Sequence, residues 1–169
     1  AEECGIEMVY QELNMMLDSS IAENIFVGNL PGKVGFVDYK TLYQNTEKIL
    51  NEIGLAVSPK EKARSLNSGQ LQMLAIMRAL RKNPRIIVMD EPTSALSDTE
   101  VDLLMGFLNN LRKRGISCIF ITHKLDEIFR IADRVVVMRD GQFISSNSVA
   151  RVQQAQLIEE MVGRKVENL

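Results

Sequence analysis

Ile86-Ile87-Val88-Met89-Asp90-Glu91-Pro92-Thr93 is the stretch on which the reading of this chain turns. Four apolar residues run straight into two adjacent carboxylates. An apolar run this short fits a strand buried on both faces of a parallel sheet. The C-terminal ends of such strands are where open α/β sheets place ligands. Two acids are costly there unless a cation or a water uses them. Asp90 suits the cation and Glu91 suits the water. The bland alternative is a strand followed by an acidic helix cap, and the rest of the chain argues against it.

Working outward, strand–helix alternation continues after Thr93. Ser97-Asp98-Thr99-Glu100 caps a helix with Val101, Leu104, Met105, Leu108 and Leu111 at helical spacing, stopped by Gly115. Ser117–Thr122 reads as a second apolar strand and Lys124–Ala132 as a short helix. Arg134–Met138 reads as a third strand, which Asp140-Gly141 turns back into Gln142–Ser145. A last helix covers about residues 153–162 and ends at Gly163. Upstream of Ile86 the pattern is helical. Ser20-Ile21-Ala22-Glu23 opens a short helix through Val27, and residues 28–37 read as a loop. Asp38 caps a helix whose apolar face is Tyr39, Leu42, Tyr43, Leu50 and Ile53, stopped by Gly54. Ser58-Pro59-Lys60-Glu61 reads as another helix start. A buried helix follows from about Ser68 to Arg81. Residues 6–10 form an isolated strand ahead of all this.

The chain therefore divides into an α/β core, residues 1–11 and 83–150, and a helical insertion, residues 12–82. Residues 151–169 carry the last helix and the start of a linker. At 169 residues there is room for one core and a small subdomain. With 46% apolar and 25% charged residues the balance is that of a globular protein. A net charge of −2 argues against nucleic-acid binding through bulk positive charge. No apolar run approaches the length of a membrane span. Cys4 and Cys118 are far apart and read as reduced thiols.

Three further positions carry chemistry. Leu66-Asn67-Ser68-Gly69-Gln70 opens the buried helix, where unpaired N–H groups and the dipole favour an anion. Gly69 allows close approach of a phosphate or a backbone. Capping by Asn67 or Ser68 explains the same residues more simply. His123, the only histidine, follows the second apolar strand and falls at the same sheet end as Asp90 and Glu91 if the strands are parallel. Gln11 leaves the first strand at that end too.

Taken together, these motifs resemble the ATP-binding subunits of ABC transporters. Gln11 matches the Q-loop, Leu66–Gln70 the signature motif, and Ile86–Glu91 the Walker B strand. Ser94–Asp98 matches the D-loop region and His123 the switch histidine. The match is closest to the first module of tandem monosaccharide-importer ATPases, through Gly69-Gln70-Leu71-Gln72-Met73, Glu91-Pro92-Thr93-Ser94-Ala95-Leu96 and Glu160-Met161-Val162-Gly163-Arg164. The resemblance implies a P-loop NTPase (RecA-like) α/β sheet core, here partial, with an inserted helical subdomain. It implies Mg²⁺-ATP hydrolysis. Asp90 and Gln11 would hold the metal, Glu91 would polarise the water, and His123 would contact the γ-phosphate. Asn67, Ser68, Gly69, Gln70 and Ser97 would meet nucleotide bound by a second, head-to-tail module. Transmembrane permease subunits would be the other partners, on the cytoplasmic face of the membrane.

The sequence departs from that pattern at one decisive point. A phosphate-binding loop requires G-x-x-x-x-G-K-[ST] between a strand and a helix. Gly28-Asn29-Leu30-Pro31-Gly32-Lys33-Val34 has one residue too few, and Val34 stands where a hydroxyl is needed. Only ten residues precede Gln11, against roughly thirty for a strand–loop–helix–strand unit. The expectation is a truncated module that does not hydrolyse ATP alone. Its uncovered strand faces, Ile86–Met89 and Ile119–Ile121, would drive self-association. Two smaller departures are Asn67, where the family usually has Ser, and Ser97, where it commonly has Asp. The alternative is a non-catalytic module that lends its signature helix in trans or docks on a permease.

Overall fold

The computed structural model describes residues 4–33 and 35–163. Val34 and the expected linker after Gly163 lie outside them. The chain forms two compact units, residues 1–121 and 122–169.

The first unit is built on a three-stranded parallel sheet in the order β1–β4–β5. β1 is Ile6–Val9, β4 is Ile86–Asp90 and β5 is Ser117–Ile121. Ile6 pairs with Ile86 and Ile86 with Ser117, so all three strands run level. β4 lies in the middle, as its apolar run demands. Its burial alternates: Ile87 and Met89 are fully enclosed, while Ile86, Val88 and Asp90 are half-buried. The expected burial on both faces is therefore realised in full on one face only. The enclosure of Ile87 and Met89 departs from the uncovered face expected along Ile86–Met89, whereas β5 shows the uncovered face expected along Ile119–Ile121. β5 is exposed along most of its length, with Ile119 at 51% and Ile121 at 46%. The reason is topological: β5 pairs with β4 on one edge, and no described strand pairs with the other.

The connection from β4 to β5 is α4, Asp98–Lys113, which packs on β5 and buries Leu104, Met105, Leu108 and Leu111. This is the right length for a parallel crossover. The connection from β1 to β4 is helical. It comprises α1 (Ile21–Ile25), a two-stranded hairpin of β2 (Gly32–Lys33) and β3 (Phe36–Val37), α2 (Tyr39–Glu52) and α3 (Ser68–Leu80). α3 packs on β1 and α1, and α1 packs on α2. Eight residues of α3 are buried, including Met73, Leu74, Ile76 and Met77, which matches its nearly all-round apolar pattern.

Local chemistry explains the ends of these elements. The Ser20 hydroxyl and backbone N–H both donate to the Glu23 carboxylate, at 2.7 and 2.8 Å, and the Glu23 N–H returns a bond to the hydroxyl at 3.2 Å. Asp38 accepts from Thr41 N–H at 3.1 Å and caps α2. Two expectations fail here. Residues 28–37 hold the β2–β3 hairpin and not only a loop. Ser58–Glu61 forms a turn and not a helix start. Its carbonyls are committed elsewhere: Glu61 and Pro59 accept the Ile21 and Ala22 N–H groups of α1 at 2.8 and 3.1 Å. A helix start needs its first N–H groups covered, and this turn supplies the cover. On α2, Tyr39 is exposed and Thr46 takes the expected place in the buried face.

The second unit contains α5 (Leu125–Ile131), the antiparallel pair β6 (Arg134–Arg139) and β7 (Gln142–Ser148), and α6 (Gln154–Val162). Asp140 and Gly141 both have positive φ, 51° and 73°, as a two-residue hairpin turn requires. β6 pairs with β7 in a sheet of two. Val135, Val137, Val152 and Leu157 form the core of this unit. Arg139 donates to the Glu160 carbonyl at 2.6 Å, tying β6 to the end of α6, and the Ser145 hydroxyl donates to the Glu160 carboxylate.

Candidate functional site

Parallel strands in level register end together. Val9 of β1 lies opposite Met89, and Asp90 lies opposite Ile121. The C-terminal ends of β1, β4 and β5 therefore share one sheet edge, which carries Asp90 and Glu91. Gln11 follows Val9 by two residues and is exposed in a bend past the end of β1.

Glu91 is held unusually. Its φ is +45°, a left-handed conformation that costs a side-chain-bearing residue roughly 1–2 kcal/mol. Its N–H donates to the Ile121 carbonyl at 2.9 Å and extends the β4–β5 ladder by one bond. Its carbonyl accepts from the Ser94 N–H at 3.2 Å and from the Ser94 hydroxyl at 3.0 Å. Pro92 and Thr93 are buried beneath this turn, and Leu96 N–H closes it on the Thr93 carbonyl at 3.2 Å. The carboxylate is thus presented from a backbone fixed at both ends.

The second cluster is the start of α3. Asn67 is its cap: Gln70 N–H donates to Asn67 Oδ1 at 2.7 Å, and Asn67 N–H donates to Gln70 Oε1 at 3.0 Å. Gly69 is buried at the turn. The Ser68 hydroxyl donates to the Ala95 carbonyl at 3.4 Å. Ser97 N–H and the Ser97 hydroxyl donate to Glu100 Oε2 at 2.9 and 2.8 Å. These bonds, backbone first and then hydroxyl, hold the Glu100 carboxyl below the usual carboxylate range, with a further contribution from the Asn67 side chain. The structure thus brings Asn67, Ser68, Gly69 and Ser97 together. It also links them to Glu91 through Ser94 and Ala95. Glu100 escaped the sequence reading as a site residue. It registered there only as the end of a capping box, because its reach to α3 crosses some thirty residues of chain.

His123 lies two residues past the end of β5 and is exposed, in the second unit. Its neighbours are anchored. The Thr122 hydroxyl donates to Glu127 Oε2 at 3.2 Å and accepts from the Lys124 N–H at 3.0 Å. The Lys124 ammonium lies 3.3 Å from Glu127 Oε1.

A cleft of about 590 Å³ opens between β1, α1 and α3, and none of the nominated site residues lines it. No helix among the described residues is long and apolar enough to cross a membrane. Among the described residues no group of three or more metal-binding His, Cys, Asp or Glu side chains occurs. Mg²⁺, the cation the resemblance implies, is a hard ion that takes one or two protein oxygens and fills its shell with water and phosphate. Asp90 and Gln11 provide oxygens of that kind.

The chain is 44% identical over its whole length to a xylose import ATP-binding protein of Moorella thermoacetica, covering 34% of that protein. It is 42% identical over 98% of its length to a galactose/methyl galactoside import ATP-binding protein of Haemophilus influenzae, covering 33% of that protein. The chain thus spans about one third of the length of the curated relatives it matches. Among solved structures, an ATP-binding cassette of an ABC transporter in its ADP conformation superposes with a TM-score of 0.76 at 25% identity, over 96% of this chain and 70% of the other. A metal-chelate type ABC transporter in an inward-facing conformation gives a TM-score of 0.77 at 22% identity, over 94% of this chain and 63% of the other, a likeness of fold alone. The profile of the family described as ABC transporter matches residues 2–94, more than half the chain. On that match, and with the fold of the solved cassettes, the chain belongs to the ABC transporter family.

Proposed function

We propose that the chain belongs to an ATP-binding module of an ABC importer for a monosaccharide, working at the cytoplasmic face of the membrane with permease subunits. Residues 1–11 and 83–150 supply its nucleotide-binding core, 12–82 its signature subdomain and 151–169 its last helix and linker. The observation carrying this reading is the shared edge of β1, β4 and β5. It presents Asp90 and Glu91 from a fixed turn that is hydrogen-bonded onward, through Ser94, Ala95 and Ser68, to the start of α3.

In this reading Asp90 and Gln11 hold Mg²⁺, which offsets phosphate charge when bound. Glu91 orients and polarises the attacking water, and His123 contacts the γ-phosphate. Asn67, Ser68, Gly69, Gln70 and Ser97 face nucleotide held by a second, head-to-tail module. The 169 residues contain no G-x-x-x-x-G-K-[ST] loop, which supplies most β/γ-phosphate contacts in this class. The chain alone is therefore inactive in hydrolysis. Its exposed β5 flank favours self-association.

A second reading is a non-catalytic module that lends α3, whose first turn is fixed by the Asn67–Gln70 capping box, in trans or docks on a permease. Titration of the chain with Mg²⁺-ATP separates the two. The first reading expects weak, Mg²⁺-dependent binding that Asp90→Asn abolishes. Binding that is absent, or indifferent to Asp90→Asn, supports the second.

A further inference from the structure

One carboxylate, that of Glu100, caps the start of α4 and lies against the first turn of α3. A Cβ built on Gly69 would lie 2.5 Å from Glu100 Oε2 and 2.6 Å from Oε1, so this carboxylate sits directly against the glycine. The same carboxylate accepts both Ser97 donors and is a hydrogen-bond partner of the Asn67 side chain. Asn67 meanwhile holds the Gln70 N–H through its Oδ1. An ordinary capping box closes on itself within one helix. This one reaches across to a second helix start and occupies the space that a side chain at position 69 would fill.

We propose that Glu100 is a positioning residue that locks the turn 94–97 to the first turn of α3, so that the two move as one body. Where the module reading above holds, this lock sets the signature residues in fixed relation to Glu91. The lock itself does not depend on that reading. The glycine at position 69 leaves room for this carboxylate. Any side chain there would push Glu100 off the α3 start, a displacement its flexible stem permits.

Amide hydrogen exchange on the full chain, without nucleotide, tests the lock separately from the functional reading. Glu100→Ala should speed exchange at Gln70 and Leu71 by about 5-fold or more, the scale of coupling between contacting groups. Glu100→Gln, which keeps an acceptor of the same reach, should restore most of the protection. Gly69→Ala should reproduce the Glu100→Ala effect, and combining the two should add little. Ser97→Ala, which weakens the α4 cap but leaves Glu100, should leave Gln70 unchanged. Protection at Leu74 and Ile87 reports that each variant is folded, and the Gln substitution supplies a folded comparison if the Ala variant is not. Gln70 exchange that is indifferent to Glu100→Ala, or additive effects of Gly69→Ala and Glu100→Ala, would overturn the proposal.

Discussion

The N–H of Glu91 donates to the carbonyl of Ile121 at 2.9 Å, and Glu91 makes this bond with φ at +45°. The ladder between β4 and β5 thus runs two residues further than the apolar run, into a backbone region that side-chain-bearing residues avoid. A residue kept in such a conformation is held by its surroundings, here by Ile121 on one side and Ser94 on the other. The strain falls on the carboxylate nominated to act on water. Its consequence is measurable: Glu91→Gly relieves it and should raise the urea midpoint, by up to about 1 kcal/mol in stability. A lower midpoint would show that the side chain contributes more than the strain costs.

Removing enclosed and exposed apolar groups should separate the two faces of the sheet unit. Leu74 of α3 is fully enclosed, so Leu74→Ala should cost about 2–5 kcal/mol. Ile119 on β5 is half exposed, and Ile119→Ala should cost well under that. Comparable losses in chemical denaturation would mean that β5 is covered in solution.

The exposed flank of β5 makes a prediction about association. Sedimentation across a dilution series should show dimers or larger species, and Ile119→Lys should shift them toward monomer. A wild-type monomer throughout the series would remove exposure of β5 as a driver of association.

The α1 cap should leave a mark on the pH dependence of stability. The Ser20 hydroxyl, and after it the Ser20 N–H, hold the Glu23 carboxyl below its ordinary value. A depressed carboxyl stabilises the fold above the unfolded value of about 4.3, and that contribution is lost as pH falls through the folded value. Wild type should therefore exceed Glu23→Gln in stability at neutral pH, with the difference closing below about pH 4. Ser20→Ala should cost about 1 kcal/mol at neutral pH. A difference that widens on acidification would contradict the assignment.

Much of this was legible in the residues. β4, α3, α4 and the hairpin at Asp140-Gly141 carry their own punctuation: apolar runs, capping pairs and glycines at left-handed positions. The misses share a cause. Ser58-Pro59-Lys60-Glu61 has the composition of a helix start, yet its carbonyls serve the N–H groups of Ile21 and Ala22. Ile86–Met89 reads as an uncovered strand face in a module short of its first strands, but Ile87 and Met89 are fully enclosed in the middle strand of the sheet. Glu100 reads as a local cap because nothing in a sequence shows that its carboxylate lies against Gly69. In each case a partner distant in sequence decided the outcome.

Turnover of Mg²⁺-ATP, before and after a phosphate loop is supplied, tests the central claim most directly. The 169-residue chain should show none. The same chain fused behind a strand–G-x-x-x-x-G-K-[ST]–helix segment should hydrolyse ATP, and Glu91→Gln in the fusion should reduce kcat by about 10²–10⁴-fold. Hydrolysis by the unfused chain that Glu91→Gln abolishes, or fused-chain hydrolysis indifferent to Glu91→Gln, would contradict the account.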